Sequence, residues 1–219
     1  MIKYFDLLKE KRLQIKGQKL LTQGKIEKAF DAFQKAILIN SSTENIYNLA
    51  LSLMAQTKYL QAEKYLRKIF ENYPENEMNL LTLAECVIMQ KKWNEAIELY
   101  RSLADSDPEN KTYQKYKTIA EDVVIREKYV KSKYLLNFSI LELKRKNDKK
   151  ALELLLEAEE YFPGNPNILN NIGSIYMLFK NYEKAYSYFS KAIKNDSGNK
   201  RFQKNLFTAR KKLKNKLKN

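Results

Sequence analysis

Two hundred and nineteen residues carry 41 lysines and arginines against 26 acidic residues, a formal charge of +15, with no histidine, one cysteine, five glycines and four prolines. A chain of this length with 44% hydrophobic residues can bury a core. Lacking histidine, it lacks the commonest general base and metal ligand, and one cysteine excludes an internal disulfide and a multi-cysteine zinc site. The opening MIKYFDLLKEKR has no apolar run of the secretory kind, and no stretch of about eighteen uncharged apolar residues occurs. A soluble chain in a reducing compartment, the cytoplasm, is the expectation.

The excess charge is uneven. Residues 29–110 hold eight basic and twelve acidic residues, residues 111–150 twelve and five, and residues from Lys194 onward ten and one. Abundant Lys, Asn, Ile and Tyr match an AT-rich coding bias, so the distribution carries more information than the total.

From the N-terminus, QGKIEKAFDAFQKAI centres on Ala29, with Phe33 and Ala36 four and seven places on. The scheme returns as Ala62 with Leu66 and Ile69, and as Ala96 with Tyr100 and Leu103. Ala151 has Leu155 and Ala158, and Ala185 has Phe189 and Ala192. Steps of four and three put each trio on one helix face, where the small residue admits a close neighbour and the large one fills the space beside it. The alanines are 33, 34, 55 and 34 residues apart. Upstream of them run partner stripes: Ile46, Leu49, Ala50, Leu53; then Leu80, Leu83, Ala84, Val87; then Leu169, Ile172, Gly173, Tyr176. Pro74, Pro108 and Pro163 each follow their alanine by twelve residues, where proline ends a helix. Asn165 before Pro166 reads as a helix N-cap, and Asn94, Asp148 and Asn181 stand where second helices begin. No stretch alternates with the period of a strand, so the fold is expected to be all-α.

The wide gap leaves about one extra helix, residues 111–131, in a stretch without proline or glycine from Glu109 to Phe162. Either it runs into the next helix as a rod to Lys146, about 54 Å long at 1.5 Å per residue, or it stands alone as a cap on the first three repeats. The separate cap is the preferred reading, because a rod that long would lack support. At the end, Phe202, Leu206, Ala209, Leu213 and Leu217 form the apolar stripe of a last helix covered elsewhere by basic residues, suited to capping a stack. Lys200, Arg201, Lys204, Arg210, Lys211 and Lys212 mark its basic surface.

Catalytic signatures are missing: no phosphate-binding glycine loop, no dinucleotide fingerprint, no zinc-protease motif. Cys86 lies among Val87 and Ile88 and reads as a buried thiol with no base to activate it. No enzyme activity, cofactor or metal is expected.

The small–large–small scheme at a period near 34 resembles the tetratricopeptide repeat (TPR) family, over five units at 10–43, 43–76, 77–110, 132–165 and 166–199. That resemblance implies a right-handed superhelical stack of antiparallel helix pairs: repeats 1–3 in 1–110 behind a short N-terminal extension, an extra or capping helix at 111–131, repeats 4–5 in 132–199, and a basic capping helix at 200–219. It also implies a concave groove lined by the first helix of each pair. Its residues here would be Tyr47, Asn48 and Leu51, then Leu81, Thr82, Glu85 and Met89, then Asn137 and Ile140, then Asn170, Asn171 and Ser174. One branch of the family grips chaperone carboxylates through residues matching Gln14, Gln18, Asn48, Met78 and Thr82, of which only Asn48 agrees. The implied function is a non-enzymatic protein–protein scaffold or adaptor that takes a peptide segment of a partner protein in that groove. The alternative is binding to RNA, a ribosome or an anionic membrane through the basic stretches 111–150 and 194–219, where Tyr113, Tyr116, Tyr129 and Tyr134 interleave with lysines.

Overall fold

A computed structural model describes residues 4–216, so Leu217 of the expected C-terminal stripe lies outside the described residues. The chain divides into two compact units, Met1–Val123 and Val124–Asn219. Among the described residues all regular structure is helical. The first unit contains α1 (Tyr4–Thr22), α2 (Ile26–Ile39), α3 (Thr43–Ala55), α4 (Tyr59–Asn72), α5 (Glu77–Met89), α6 (Trp93–Ser106) and α7 (Lys111–Glu121). The second contains α8 (Val123–Lys144), α9 (Asp148–Tyr161), α10 (Pro166–Leu178), α11 (Tyr182–Asn195) and α12 (Lys200–Lys216).

The five expected pairs are α1/α2, α3/α4, α5/α6, α8/α9 and α10/α11. In every second helix the central alanine is fully buried: Ala29, Ala62, Ala96, Ala151 and Ala185 are all 0% exposed. The small–large lock is explicit where the first helix carries glycine. A methyl group at Gly17 would stand 2.5 Å from the Phe33 ring, and one at Gly173 would stand 2.8 Å from the Phe189 ring. These two pairs are thus held by an aromatic ring lying on bare backbone, a contact that any larger side chain would force apart.

The turn inside each pair repeats as faithfully as the core. Gly24, Thr57, Lys91, Lys146 and Lys180 all have φ between 56° and 72°, each five residues before the central alanine. The following N–H reaches back to the last turn of the first helix (Lys25 to Leu20 O, 2.9 Å; Lys58 to Leu53 O, 2.9 Å; Asn181 to Tyr176 O, 2.9 Å). These bonds satisfy carbonyls that the helix end leaves open. Only the first turn uses glycine. A β-branched residue in the left-handed region is strained by roughly 1–2 kcal/mol. Thr57→Gly is therefore expected to raise stability by about 0.5–1 kcal/mol, net of the extra freedom of glycine in the unfolded chain. Urea denaturation measures this, and a loss of stability would refute it.

The turns between pairs are closed by side chains. Ser42, Asn76, Asn110, Asn165 and Asn199 each accept a backbone N–H from the helix they precede. Asn110 shows what the 55-residue gap contains. It caps α7 in register with Asn76 and α5, and α7 buries Tyr113 and Ala120 where α5 buries Asn79 and Cys86. In this register α7 is a first helix without its second. It is held on the preceding pair by the Tyr113 hydroxyl donating to Glu77 (2.8 Å), the Arg101–Glu121 ion pair (2.6 Å) and the Tyr100–Tyr116 ring stack (5.4 Å).

The extra helix is therefore Lys111–Glu121, shorter than the expected 111–131, and residues 123–131 belong to α8 instead. The break falls at Asp122, whose backbone is extended (ψ 118°). Val123 and Val124, β-branched and poor at continuing a helix, follow it. The rod from 111 to Lys146 is not formed. In the second unit, Leu135 and Leu136 of α8 share a core with Leu155 of α9 and Ile168 and Ile172 of α10. Phe202 and Ala209 of α12 seal the far side against α10 and α11.

Candidate binding wall on the first helices

The first helix of each pair offers a face to solvent beside its buried stripe, and α3 and α5 present theirs together. Thr82 donates its hydroxyl to Met78 O (2.8 Å), so the 2.8 Å contact between Tyr47 Oη and Thr82 Oγ1 is made by the tyrosine donating. Burial pushes the Tyr47 hydroxyl above its ordinary pKa, and the negative Glu85 adds to it. Tyr47, Thr82 and Glu85, named from sequence, are therefore brought to one place, with Leu51 and Leu81 half-buried on the same two helices.

Beside them lies a cavity of about 260 Å³ lined by Thr43, Glu44 and Tyr47 of α3, Ile69 of α4, and Asn76, Met78 and Asn79 at the start of α5. Asn79 is buried: its amide donates to Leu66 O (3.0 Å), and its Oδ1 has no partner. Met78 is 66% exposed at the lip. Sequence reading did not single out Glu44, Asn76 or Asn79, and named Ile69 only for the packed face of its helix. Glu44 and Met78 share one register place, 34 residues apart, which is the signal that could have found them. Neither α3 nor α5 contains a lysine or arginine, although the chain has 41, while together they carry Glu44, Glu77 and Glu85.

Three of the expected groove residues are not available. Met89 is 1% exposed and belongs to the core, because its place on the last turn of α5 turns inward with Ile88. Asn48 is 7% exposed and its amide nitrogen is buried without a partner, so it cannot hold a ligand backbone in this arrangement. Asn170 is buried beneath α12, where its Oδ1 accepts from Asn205 (2.8 Å). Gln14, a clamp place, is likewise turned inward: it donates to Asn45 Oδ1 (2.8 Å) beside the buried Glu10. In the second unit Asn137, Ile140, Asn171 and Ser174 are half-buried; Ile140 packs on the core, and Ser174 donates to Asn170 O (2.9 Å). All six expected basic residues, Lys200, Arg201, Lys204, Arg210, Lys211 and Lys212, are exposed on α12.

Burial raises the Cys86 thiol to a pKa of about 12, with the negative Glu63 adding to the effect, and its Sγ donates to Tyr59 O (3.1 Å). Such a thiol is not a nucleophile at neutral pH. Among the described residues no group of three or more His, Cys, Asp or Glu could hold a metal ion, and no helix is long and apolar enough to cross a membrane.

Family models match two parts of the chain: anaphase-promoting complex, cyclosome, subunit 3 over residues 23–103, and tetratricopeptide repeat over 166–199. No curated protein matches. Similar solved structures include a thermophilic TPR protein of Thermus thermophilus, at 15% identity and a TM-score of 0.45, covering 91% of this chain and 98% of that one. Residues 41 to the end of MamA from Desulfovibrio magneticus align at 13% and 0.44, covering 91% and 99%. YrrB, described as a TPR protein with an unusual peptide-binding site, aligns at 16% and 0.41, covering 91% and 90%. With five helix pairs joined by one recurring left-handed turn, and the central alanine of every second helix fully buried, the chain belongs to the tetratricopeptide repeat family.

Proposed function

We propose that the chain is a non-enzymatic scaffold that holds a segment of a partner protein against α3 and α5, with an apolar side chain of that segment seated in the cavity between them. The cavity carries this reading: Tyr47, Ile69 and Met78 give it apolar walls. Glu44 at the lip and Glu85 along the wall, with no cation on either helix, favour a segment carrying lysine or arginine next to its apolar anchor. Methionine suits the lip, since its flexible thioether adapts to different anchors.

Selection of peptides from a display library on the immobilised full chain, followed by calorimetry, tests this. The selected peptides are expected to pair an apolar residue with a neighbouring cation. Met78→Ala with Glu44→Gln, both at the lip of the cavity, is expected to weaken them at least about tenfold, about 1.4 kcal/mol, without moving the unfolding transition. Peptides that bind wild type and this variant equally would place the site elsewhere.

A further inference from the structure

α12 repeats the register of α10 one period on: Asn199 caps it as Asn165 caps α10, and Phe202 and Ala209 are buried where Ile168 and Ile175 are. The register breaks at the place of closest helix approach. Where the first helices carry Gly17, Ala50, Ala84, Ser139 and Gly173, α12 carries Phe207. In α1 and α10 that place receives the ring of the following helix at a distance that leaves no room for a methyl group. A benzyl side chain there bars the close approach by which a second helix would pair, and Phe207 is 69% exposed. The exposed face of α12 is not a notch for another helix.

What surrounds the ring is positive. α12 holds eight basic residues and no acidic one, and among the described residues none of the eight is ion-paired. Lys200, Lys204, Phe207, Lys211 and Lys214 follow one another at steps of four, three, four and three. This ridge lies opposite the buried side of Phe202 and Ala209. A concavity of about 360 Å³ opens beside the ring, lined by Phe207, Thr208, Lys211, Lys212 and Asn215. The Thr208 hydroxyl proton is committed to Lys204 O (2.8 Å), leaving the oxygen as an acceptor. Aromatic face, hydroxyl, amide and two ammonium groups therefore meet in one place.

A bilayer is a poor match, because the apolar side of α12 is spent on the core and leaves a single ring to insert. The cations also fan over more of the helix circumference than a plane can touch. A flexible polyanion with flat rings suits both features. We propose that the exposed face of α12 binds single-stranded nucleic acid, with phosphates on Lys204, Lys211 and Lys212, a base stacked on Phe207, and Thr208 and Asn215 at the base edge.

Fluorescence anisotropy of the full chain with a labelled oligouridylate of about 16 nucleotides tests this. Binding is expected at about 50 mM salt and to weaken toward 200 mM, with log K falling against log salt at a slope of about −2 for three phosphate contacts. Lys204→Gln with Lys211→Gln is expected to reduce that slope to about −0.7. Phe207→Ala is expected to cost about tenfold in affinity while keeping the wild-type slope and thermal transition. Absence of oligonucleotide binding at low salt overturns the proposal, as does wild-type affinity in Phe207→Ala. Sedimentation with phosphatidylserine vesicles by a protein that ignores the oligonucleotide would assign the surface to lipid instead.

Discussion

Phe189→Ala is expected to destabilise the unit Val124–Asn219 by about 3–5 kcal/mol, and Gly173→Ala, harmful by itself, is expected to restore part of that loss. The Phe189 ring is 1% exposed and lies over the bare backbone of Gly173, so truncating it removes a buried aromatic and leaves a void beside two helices. Gly173→Ala alone drives a methyl group to 2.8 Å from the ring. Overpacking of this kind costs about 1–3 kcal/mol, against about 1 kcal/mol gained from alanine's higher helix propensity. In the double variant the methyl enters the space that the ring has left, and only the propensity gain remains. The same substitution thus changes sign with its background. Urea denaturation of the four proteins of this cycle measures the coupling; strict additivity would show that ring and glycine do not meet.

The second large effect is electrostatic. Glu63 on α4 is buried, yet Lys92 donates to both of its oxygens (2.7 Å each), Arg67 to Oε1 (2.6 Å) and Gln90 to Oε2 (2.7 Å), while Arg67 also pairs with Glu95. Burial alone would raise the Glu63 carboxyl; the bonds from Lys92, Arg67 and Gln90 outweigh it and hold the carboxyl below its usual range. With the folded value depressed, the network stabilises the protein above the ordinary carboxylate range. That contribution is lost as pH falls through the lowered folded value.

Arg67→Met with Lys92→Met strands the carboxylate with one amide, which is expected to cost about 3–5 kcal/mol at neutral pH. Burial is then opposed only by the Gln90 amide and the folded value is expected to lie above the unfolded one, so the variant should gain stability as pH is lowered from 7 toward 5, a window in which Glu63 leaves the stability of wild type unchanged. Thermal melts across that range check the sign. Parallel pH profiles for the two proteins would remove Glu63 from the network.

Both effects bear on what can be read in advance. The ring-on-glycine lock was legible: Ala185 and Phe189 at a step of four, and Gly173 in the partner stripe, follow from the number of residues per helical turn. The Glu63 network was not. Glu63, Arg67, Lys92 and Glu95 look like solvated helix-surface charges, and only the packing of α4, α5 and α6 buries the first and collects the others around it. The left-handed turns were partly hidden for a related reason, since four of five use Thr or Lys where local chemistry would ask for glycine. The neighbouring helices hold those residues in place.

The binding wall divides in the same way. The family resemblance put Tyr47, Thr82 and Glu85 on the groove side of their helices, and the structure brings them together. Spacing says which way a side chain points but not how closely the next helix approaches. Hence Asn48, Met89 and Asn170, named by register, are covered, and Glu44 and Met78 at a neighbouring register place border the cavity. The interruption at Asp122 likewise has no proline or glycine to announce it. α7 stops there as a lone first helix packed on α6, and α8 begins anew among valines. Period, pairing and the identity of the packed faces were determined by the amino-acid sequence, because they depend only on residue spacing along a regular helix. Depth of burial, the cavity and the split into two units were decided by the tertiary structure, because each depends on distances between helices that no single helix encodes.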